Sequence, residues 1–497
     1  MSFALRFLLA GAIVLLTAGV AVATTIKREA DTIVNALSEE TEATKEAKKA
    51  LDGVERGKPQ TLLLVGDDAR IGEKSGQRSD TMILVRLDSD AKVTSMLSLP
   101  RDLIVAGGSN VRLNAAFAGG PAKLIDRLKE LLSTPEEPFE IHHYVSIRFS
   151  AFAAAVNSFG CFYTDIDRKY FNDNSIPGAD RYAAIDVQAG YQRLCGEDSL
   201  DYVRFRHLDN DIVREARQQQ YLAEARGQIA TSKLIFEGNE LAKTILKFVD
   251  TDIRTSRGVL GVVSLGLDVV GRPTKRIQLD TNDTAEGALQ TTPASLAKAA
   301  RQFLHPGSPR KVKESENDPQ PRSSSGGSGS SKSKRRKTPK VPATLSAGTS
   351  AAKQAVQASG IASDFTAAPI YIPKLLQNGA VYRETDSRGY DIATRGGRAF
   401  PWQGYRLVVA IPGGRGGIGQ YYGIQGMSWK DPPVLDMATD EVRLAGRTFR
   451  VQYDGARIRR LVWSTPNGTY WVNNSLKNSL TNAEMRAIAR SLTPYRP

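Results

Sequence analysis

The period of the hydrophobic positions changes several times along the chain, and each change marks an element. Residues 7–25 (FLLAGAIVLLTAGVAVATT) form an uncharged, mainly apolar run of about 19 residues, the length a helix needs to cross the hydrocarbon layer of a membrane. Over residues 26–58 the apolar positions Ile33, Leu37, Ala47, Leu51 and Val54 recur loosely at helical spacing among Ala, Glu, Lys and Thr. That thin stripe predicts a helical stalk, a solvated linker helix without a partner. Short apolar or alternating runs at 61–65, 81–87, 93–99, 144–149 and 202–205 predict strands. Between them, 114–132, 152–159 and 211–232 carry helical patterns. Strands alternating with helices over residues 59–305 predict an α/β domain, a central mixed sheet covered by helices.

The pattern then lapses. Residues 306–365 are rich in Pro, Ser, Gly and Lys/Arg and include SSSGGSGSSKSKRRKTPK. Such a segment buries too little apolar area to offset chain entropy and is predicted to be a disordered linker. Periodicity resumes in residues 366–497, a smaller C-terminal domain of the α+β type. Its strands are expected at 448–453, 458–463 and 469–473, the last two joined by an Asn467-Gly468 hairpin turn. A final helix opens on Thr481 with Glu484 three residues later, a capping box, preceded by Leu480. Trp402, Trp429, Trp463 and Trp471 either stack on sugars or pack a core, the commoner use. No catalytic constellation appears there.

Charge adds a constraint. The 497 residues carry a formal net charge of +14, which invites a nucleic-acid reading. Between Arg310 and Lys340, however, ten Lys/Arg face three acidic residues, so half of the excess sits in the linker and the folded parts are only mildly basic. The KSKRRK run resembles a nuclear-localisation patch, but in an exported chain it reads as solvated linker that adheres to anionic wall polymer or lipid. Export follows from the N-terminal run. Arg6 precedes it and Lys27 and Arg28 follow it, so positive charge does not orient it, and Ala21-Val22-Ala23 offers a signal-peptidase site. A retained single-pass anchor and a cleaved signal both place the bulk of the chain outside the cytoplasm, at the cell membrane. Four histidines and two cysteines without a CxxC spacing leave the chemistry to Asp, Arg and Lys.

Those residues cluster where strands end: Arg70, Arg78, Arg101, Arg204 and Arg206. Arg204 and Arg206, two apart on an expected strand, share one side of it. Asp211, Arg214 and Gln218 fall on one helix face, with Arg217 beside them. Planar guanidinium forks suit bidentate capture of phosphate oxygens, and several of them converging repel one another unless a polyanion lies between. Asp68 and Asp80, 12 residues apart at neighbouring strand ends, are hard oxygen ligands of the kind that hold Mg²⁺ or Mn²⁺ against phosphate. The bland alternative makes Asp68–Arg70, Asp80–Arg78 and Arg101–Asp102 surface ion pairs with no joint role.

The runs LLLVGDDAR, RSDTMILVRLD, SLPRD, RLNAAFAGG and LDYVRFRHLDNDIVREARQQQ, in this order, resemble the LytR-CpsA-Psr family of cell-envelope enzymes. The resemblance implies a domain outside the membrane with an apolar channel for a polyprenyl chain. It implies transfer of a glycopolymer, such as teichoic acid, from polyprenyl pyrophosphate to peptidoglycan. Carried over motif by motif, Asp68 and Asp80 match the Mg²⁺ carboxylates, and Arg78, Arg101, Arg204 and Arg206 the pyrophosphate clamp. Arg214, Arg217 and Gln218 match the helix lining the phosphate site; Arg70 and Asp211 belong to the motifs. Arg101, Asp80 and Asp68 are the residues expected to act on the reaction, although a carboxylate clamped by Arg and Mg²⁺ is a poor base. The chain departs from the family at FGCFYTDID, where Cys161, with Cys195 further on, is expected to form a disulfide outside the cytoplasm, the alternative being buried thiols. Two other functions fit the same residues: a phosphatase acting on lipid-linked pyrophosphate, and a non-catalytic regulatory or lipid-binding protein of the envelope.

Overall fold

The computed structural model describes residues 39–55, 57–67, 79–91, 93–105, 112–175, 184–205, 211–228, 249–269, 274–277, 279–284, 288–306, 340–393, 399–411 and 420–497, with scattered positions between 31 and 37. The expected anchor, the KSKRRK run, Asp68, Arg70, Arg78 and Arg206 lie outside these residues. Among the described residues no helix is long and apolar enough to cross a membrane. The chain forms two compact units. One comprises Met1–Thr164, Phe171–Ile185 and Arg193–Pro309; the other comprises Asp165–Tyr170, Asp186–Gln192 and Arg310–Pro497.

The first unit opens with α1 (Glu42–Ala50), β1 (Gln60–Asp67), β2 (Ser79–Asp88), β3 (Val93–Leu99) and β4 (Leu103–Val105). There follow α2 (Leu113–Ala118), α3 (Pro121–Leu132), β5 (His143–Arg148), α4 (Phe149–Phe159) and β6 (Phe162–Ile166). After the short pair β7 (Tyr170–Asn172) and β8 (Ile185–Val187) come β9 (Gly190–Leu194), α5 (Gly196–Arg204) and α6 (Asp211–Gln228). The unit closes with β10 (Val249–Thr251), α7 (Ser256–Val269), β11 (Thr274–Ile277), β12 (Asn282–Asp283), β13 (Leu289–Thr291) and α8 (Pro293–Leu304). Six strands form the central sheet in the order β10-β5-β1-β2-β3-β11. β1 runs parallel to β5 and β3 parallel to β11, while the other neighbours are antiparallel, so the sheet is mixed as expected. Alternation along the strands serves two faces. Leu63, Val65, Leu84, Leu97 and Leu99 share a core with Leu124, Ile125 and Leu128 of α3 and Phe303 of α8. Ser98, between Leu97 and Leu99, turns the other way and accepts from Gln219 of α6 at 3.1 Å. Helices therefore lie on both faces of the sheet.

Three expectations are corrected here. The stalk is part of the domain from α1 on: Ala47 is fully buried in the core, and Asp52 accepts from Lys129 at 2.6 Å and from the Ile141 amide at 2.7 Å. Residues 114–132 form two helices, because Gly120 at φ +101° turns the chain between them and Pro121 restarts the helix. Residues 202–205 are not a strand. They end α5, which starts with Glu197 and Asp198 in its first turn and closes with Arg204 in its last, each charge complementing its end of the helix dipole.

The disulfide between Cys161 and Cys195 is formed, with a Cα–Cα distance of 4.5 Å and a sequence separation of 34. On the chain-entropy account a loop of that length is worth about 3–4 kcal/mol. The double variant Cys161→Ala/Cys195→Ala should lose that amount in denaturant unfolding, against no loss for wild type without reductant.

The second unit starts earlier than the composition suggests. Residues 340–365 are ordered, correcting the linker boundary: β14 (Leu345–Ala347), α9 (Thr349–Ala358) and α10 (Ile361–Asp364) belong to its core through Leu345, Ala352, Ala355, Val356 and Ile361. Next come β15 (Tyr371–Pro373), β16 (Leu375–Gln377), β17 (Val381–Tyr382), β18 (Arg388–Ala393), β19 (Ala399–Ile411) and β20 (Gln420–Met427). β21 (Asp440–Leu444), β22 (Arg447–Asp454), β23 (Arg457–Thr465), β24 (Gly468–Asn473), α11 (Asn482–Arg490) and β25 (Leu492–Pro494) complete it. An eight-stranded antiparallel sheet runs β17-β19-β20-β24-β23-β22-β21, with β18 also on β19. One face packs its Leu407, Ile424, Leu461 and Val472 with Ile488 of α11, which opens on the expected Thr481–Glu484 capping box. The hairpin loop is Pro466-Asn467 rather than Asn467-Gly468: Thr465 pairs with Gly468, where a Cβ would stand 2.1 Å from the Met427 carbonyl. Trp463 and Trp471 are buried, as core packing requires, whereas half-buried Trp402 and Trp429 stack on each other at 4.6 Å between centroids.

The opposite face of this sheet is polar and just as buried. Arg406, Gln425, Trp471 and Arg460 project from β19, β20, β24 and β23, and all four donate to Asp165. One carboxylate oxygen takes Arg406 Nη1 and Gln425 Nε2 (2.6 Å); the other takes Arg460 Nη2 (3.1 Å) and Trp471 Nε1 (3.1 Å). Burial pushes the Asp165 carboxyl up, but Arg406, Arg460 and the two neutral donors outweigh it and hold it below the usual carboxylate range. Tyr191 lies edge-on to Trp471, and its amide donates to the Tyr390 hydroxyl at 2.8 Å. The unit is thus discontinuous, completed by two short stretches from the middle of the chain.

Candidate active site

Of the candidate residues, Asp80 and Arg101 lie at the same end of the central strands of the first unit's sheet. β1 ends at Asp67, directly before Asp68 in the chain. Gly66 pairs with Thr81 and Asp67 with Ser79, so Asp80 is the extra residue of a β-bulge. Bulges re-aim the chain and gather beside active sites. Met82 pairs with Leu99, which brings the strand entering through Asp80 alongside the one leaving through Pro100 and Arg101. The Arg101–Asp102 pair exists, but it is neither superficial nor isolated. Arg101 Nε donates to Asp102 at 3.2 Å, and Arg112 Nη1 donates to the same carboxylate at 3.1 Å. The carboxylate is largely buried, so the two cations share one well-shielded counter-charge. Arg112 and Asp102 were not among the residues singled out by motif, although both lie inside the quoted runs.

Helix α6 connects this edge to the second arginine-bearing segment. Gln219 holds Ser98, three residues before Arg101, while Tyr221 donates to Ser199 of α5 at 2.7 Å. Arg204 is half-buried at the end of α5. Arg214 and Gln218 are buried on α6. Arg217 and Gln218, expected to line the phosphate site, have backbone partners: Arg217 donates to the carbonyls of Tyr202 (2.9 Å) and Phe205, and Gln218 to that of Val203 (2.9 Å). Asp80 and Asp211 are placed by their backbone, Asp211 at the start of α6. One group escaped the sequence reading altogether. Burial raises the Asp201 carboxyl to about 6, opposed by Arg204 one turn later and reinforced by Glu197 and Asp198.

Among the described residues no cluster of three or more potential metal ligands occurs. The carboxylate pair proposed for a metal is Asp68, outside those residues, and Asp80 at the bulge. A cavity of about 360 Å³ opens in the same unit, lined by apolar residues such as Leu103, Leu113 and Leu131 together with the charged Arg112, Lys123 and Glu130.

A protein-family model described as the LytR_cpsA_psr family matches residues 23–299. The chain is 30% identical over 243 residues to the polyisoprenyl-teichoic acid–peptidoglycan teichoic acid transferase TagV of Bacillus subtilis, covering 46% of this chain and 60% of that protein. It is 28% identical over 203 residues to the transferase TagU of Halalkalibacterium halodurans, covering 39% of this chain and 62% of that protein. The chain thus spans less than two thirds of the length of either. The crystal structure of B. subtilis TagV is similar at 26% identity and a TM-score of 0.39, over 50% of this chain and 97% of that one.

Proposed function

The chain belongs to the LytR-CpsA-Psr family, and we propose that it transfers a glycopolymer from a polyprenyl-pyrophosphate carrier to peptidoglycan, forming a phosphodiester. The observation that supports this reading is that Asp80 and Arg101 lie at the same end of adjacent strands, while α6 bonds both to Ser98 of β3 and to the C-terminal carbonyls of α5, the helix that ends at Arg204. The relatives named as teichoic acid transferases act on the substrate class that such a cationic edge suits.

In this mechanism an acceptor sugar hydroxyl attacks the sugar-proximal phosphorus. The new P–O bond joins polymer to peptidoglycan, the bond to the bridging oxygen breaks, and polyprenyl phosphate leaves with the electron pair. The hydroxyl proton passes to a carboxylate or to solvent. Arg101 and Arg204 stabilise the charge that grows on the equatorial and leaving oxygens, donors fixed in place before the reaction. Asp102 keeps Arg101 and Arg112 close without neutralising both.

Asp80, at the bulge of β2, and Asp68, next in sequence after β1, carry the hard oxygen donors that would hold Mg²⁺ or Mn²⁺. Such an ion would neutralise phosphate charge as a Lewis acid. Residues 7–25 would hold the enzyme at the membrane where its carrier lies.

The test is reconstitution: purified full chain, a polyprenyl-pyrophosphate-linked glycan, peptidoglycan and Mg²⁺, with polymer bound to peptidoglycan and released polyprenyl phosphate both measured. Equal amounts of the two support transfer. Release of free polymer in place of bound polymer identifies a phosphatase, and no turnover at all favours a regulatory or binding role. Chelation by EDTA should reduce transfer about a hundredfold or more, with recovery on adding Mg²⁺ or Mn²⁺. Full activity in EDTA removes the metal from the mechanism.

A further inference from the structure

We infer that Arg217 is a positioning residue that holds Arg204 in place by capping the C-terminus of α5, and not a ligand of the pyrophosphate; this rests on the proposed function. The last four carbonyls of a helix lack partners within it. In α5 the Asp201 carbonyl takes the Phe205 amide at 2.9 Å. The Tyr202 carbonyl takes Arg217 Nε at 2.9 Å, and the Val203 carbonyl takes Gln218 Nε2 at 2.9 Å. Arg217 Nη2 reaches one residue beyond the helix to the Phe205 carbonyl.

One guanidinium thus spans the chain on both sides of Arg204. Its side chain is fully buried, and its central carbon lies 5.7 Å from the Tyr202 ring centroid and 5.6 Å from that of Phe205. A positive charge there also opposes the negative end of the helix dipole. The fork is what the geometry uses: two N–H vectors at a fixed angle, which the compact ammonium of lysine lacks. Because Gln219 ties the same helix to Ser98, α6 works as a spacer that sets Arg204 at a fixed distance from Arg101.

A ligand and a cap differ in their response to lysine and in their coupling to Arg204. Lysine binds phosphate well as a point charge, so Arg217→Lys in a ligand role keeps most of the affinity that Arg217→Met loses. In a capping role the two variants lose alike. The experiment is a double-mutant cycle in the full chain, reading the affinity for inorganic pyrophosphate by calorimetry in Mg²⁺ and following folding by thermal unfolding. Arg204→Ala and Arg217→Lys are each expected to weaken binding about tenfold, and the double variant no more than about twofold beyond either. Additive losses, or near-normal binding by Arg217→Lys, overturn the inference. Should Arg217→Lys fail to fold, Gln218→Leu, which removes only the bond to Val203, runs the same cycle with the same two outcomes. Arg101→Ala serves as the control for the underlying reading: if it and Arg204→Ala both bind pyrophosphate normally, the proposed site itself falls. Weakened binding in those two with additive behaviour at Arg217 rejects the capping role alone.

Discussion

Arg101→Ala is expected to lower glycopolymer transfer by about two to three orders of magnitude, the usual cost of deleting one preorganised donor to a developing oxyanion. Arg101 lies two residues beyond the end of β3, and its guanidinium donates to Asp102, which Arg112 also engages. Removing it leaves Asp102 paired with Arg112, so stability should change little, and the loss should fall on kcat more than on KM. Asp80→Ala should lose a comparable factor by a different route, since the bulge backbone survives while a carboxylate is gone. Transfer measured at saturating donor separates these effects from folding. Wild-type rates in both variants would take the sheet edge out of the chemistry.

The second large effect concerns stability. Asp165→Ala is expected to destabilise the second unit by about 3–5 kcal/mol, because it leaves Arg406 and Arg460 buried without their counter-charge. Thermal unfolding should shift down by roughly 10 °C. Replacing the carboxylate and both arginines together by apolar residues of similar size should recover most of the loss, since removing a whole buried ion cluster is often neutral. The pH dependence has a definite sign. The Asp165 carboxyl is held below its ordinary range despite burial. Its contribution is therefore complete above the unfolded value of about 4 and disappears as pH falls through the lower folded value. Wild type should lose second-unit stability in acid more steeply than Asp165→Asn. Equal slopes, or a loss below about 1 kcal/mol in Asp165→Ala, would contradict the account.

Much of the first unit was legible. Residues 93–99 form β3 as expected, and the runs around Asp80 and Arg101 do end strands. Local pattern misled where the side chains were ambiguous. Tyr202, Val203 and Phe205 favour strands, yet tertiary capping by Arg217 and Gln218 keeps the segment the end of a helix. The carbonyls of Tyr202 and Phe205 that Arg217 meets gave no signal in the motif, because an arginine reads the same whether it meets a phosphate or a carbonyl. Composition set the linker boundary too late, since small residues such as Ala352 and Ala355 make a helix that packs closely but scores low for hydrophobicity. Asp165 gave no local signal of its partners, which lie 241 to 306 residues further along.

That separation has a kinetic consequence. At about 5–20 residues per second, synthesis delivers Asp165 roughly 15–60 s before Trp471. Throughout that interval the strand at residues 162–166 has its carboxylate hydrated and its final neighbours unmade. The last third of the polypeptide must arrive before the segment around Asp165 can finish, so maturation is gated by chain completion. Closing so long a loop is slow compared with local helix formation. Nascent chains stalled before β19 should therefore leave residues 165–170 open to proteolysis, whereas full-length chains protect them.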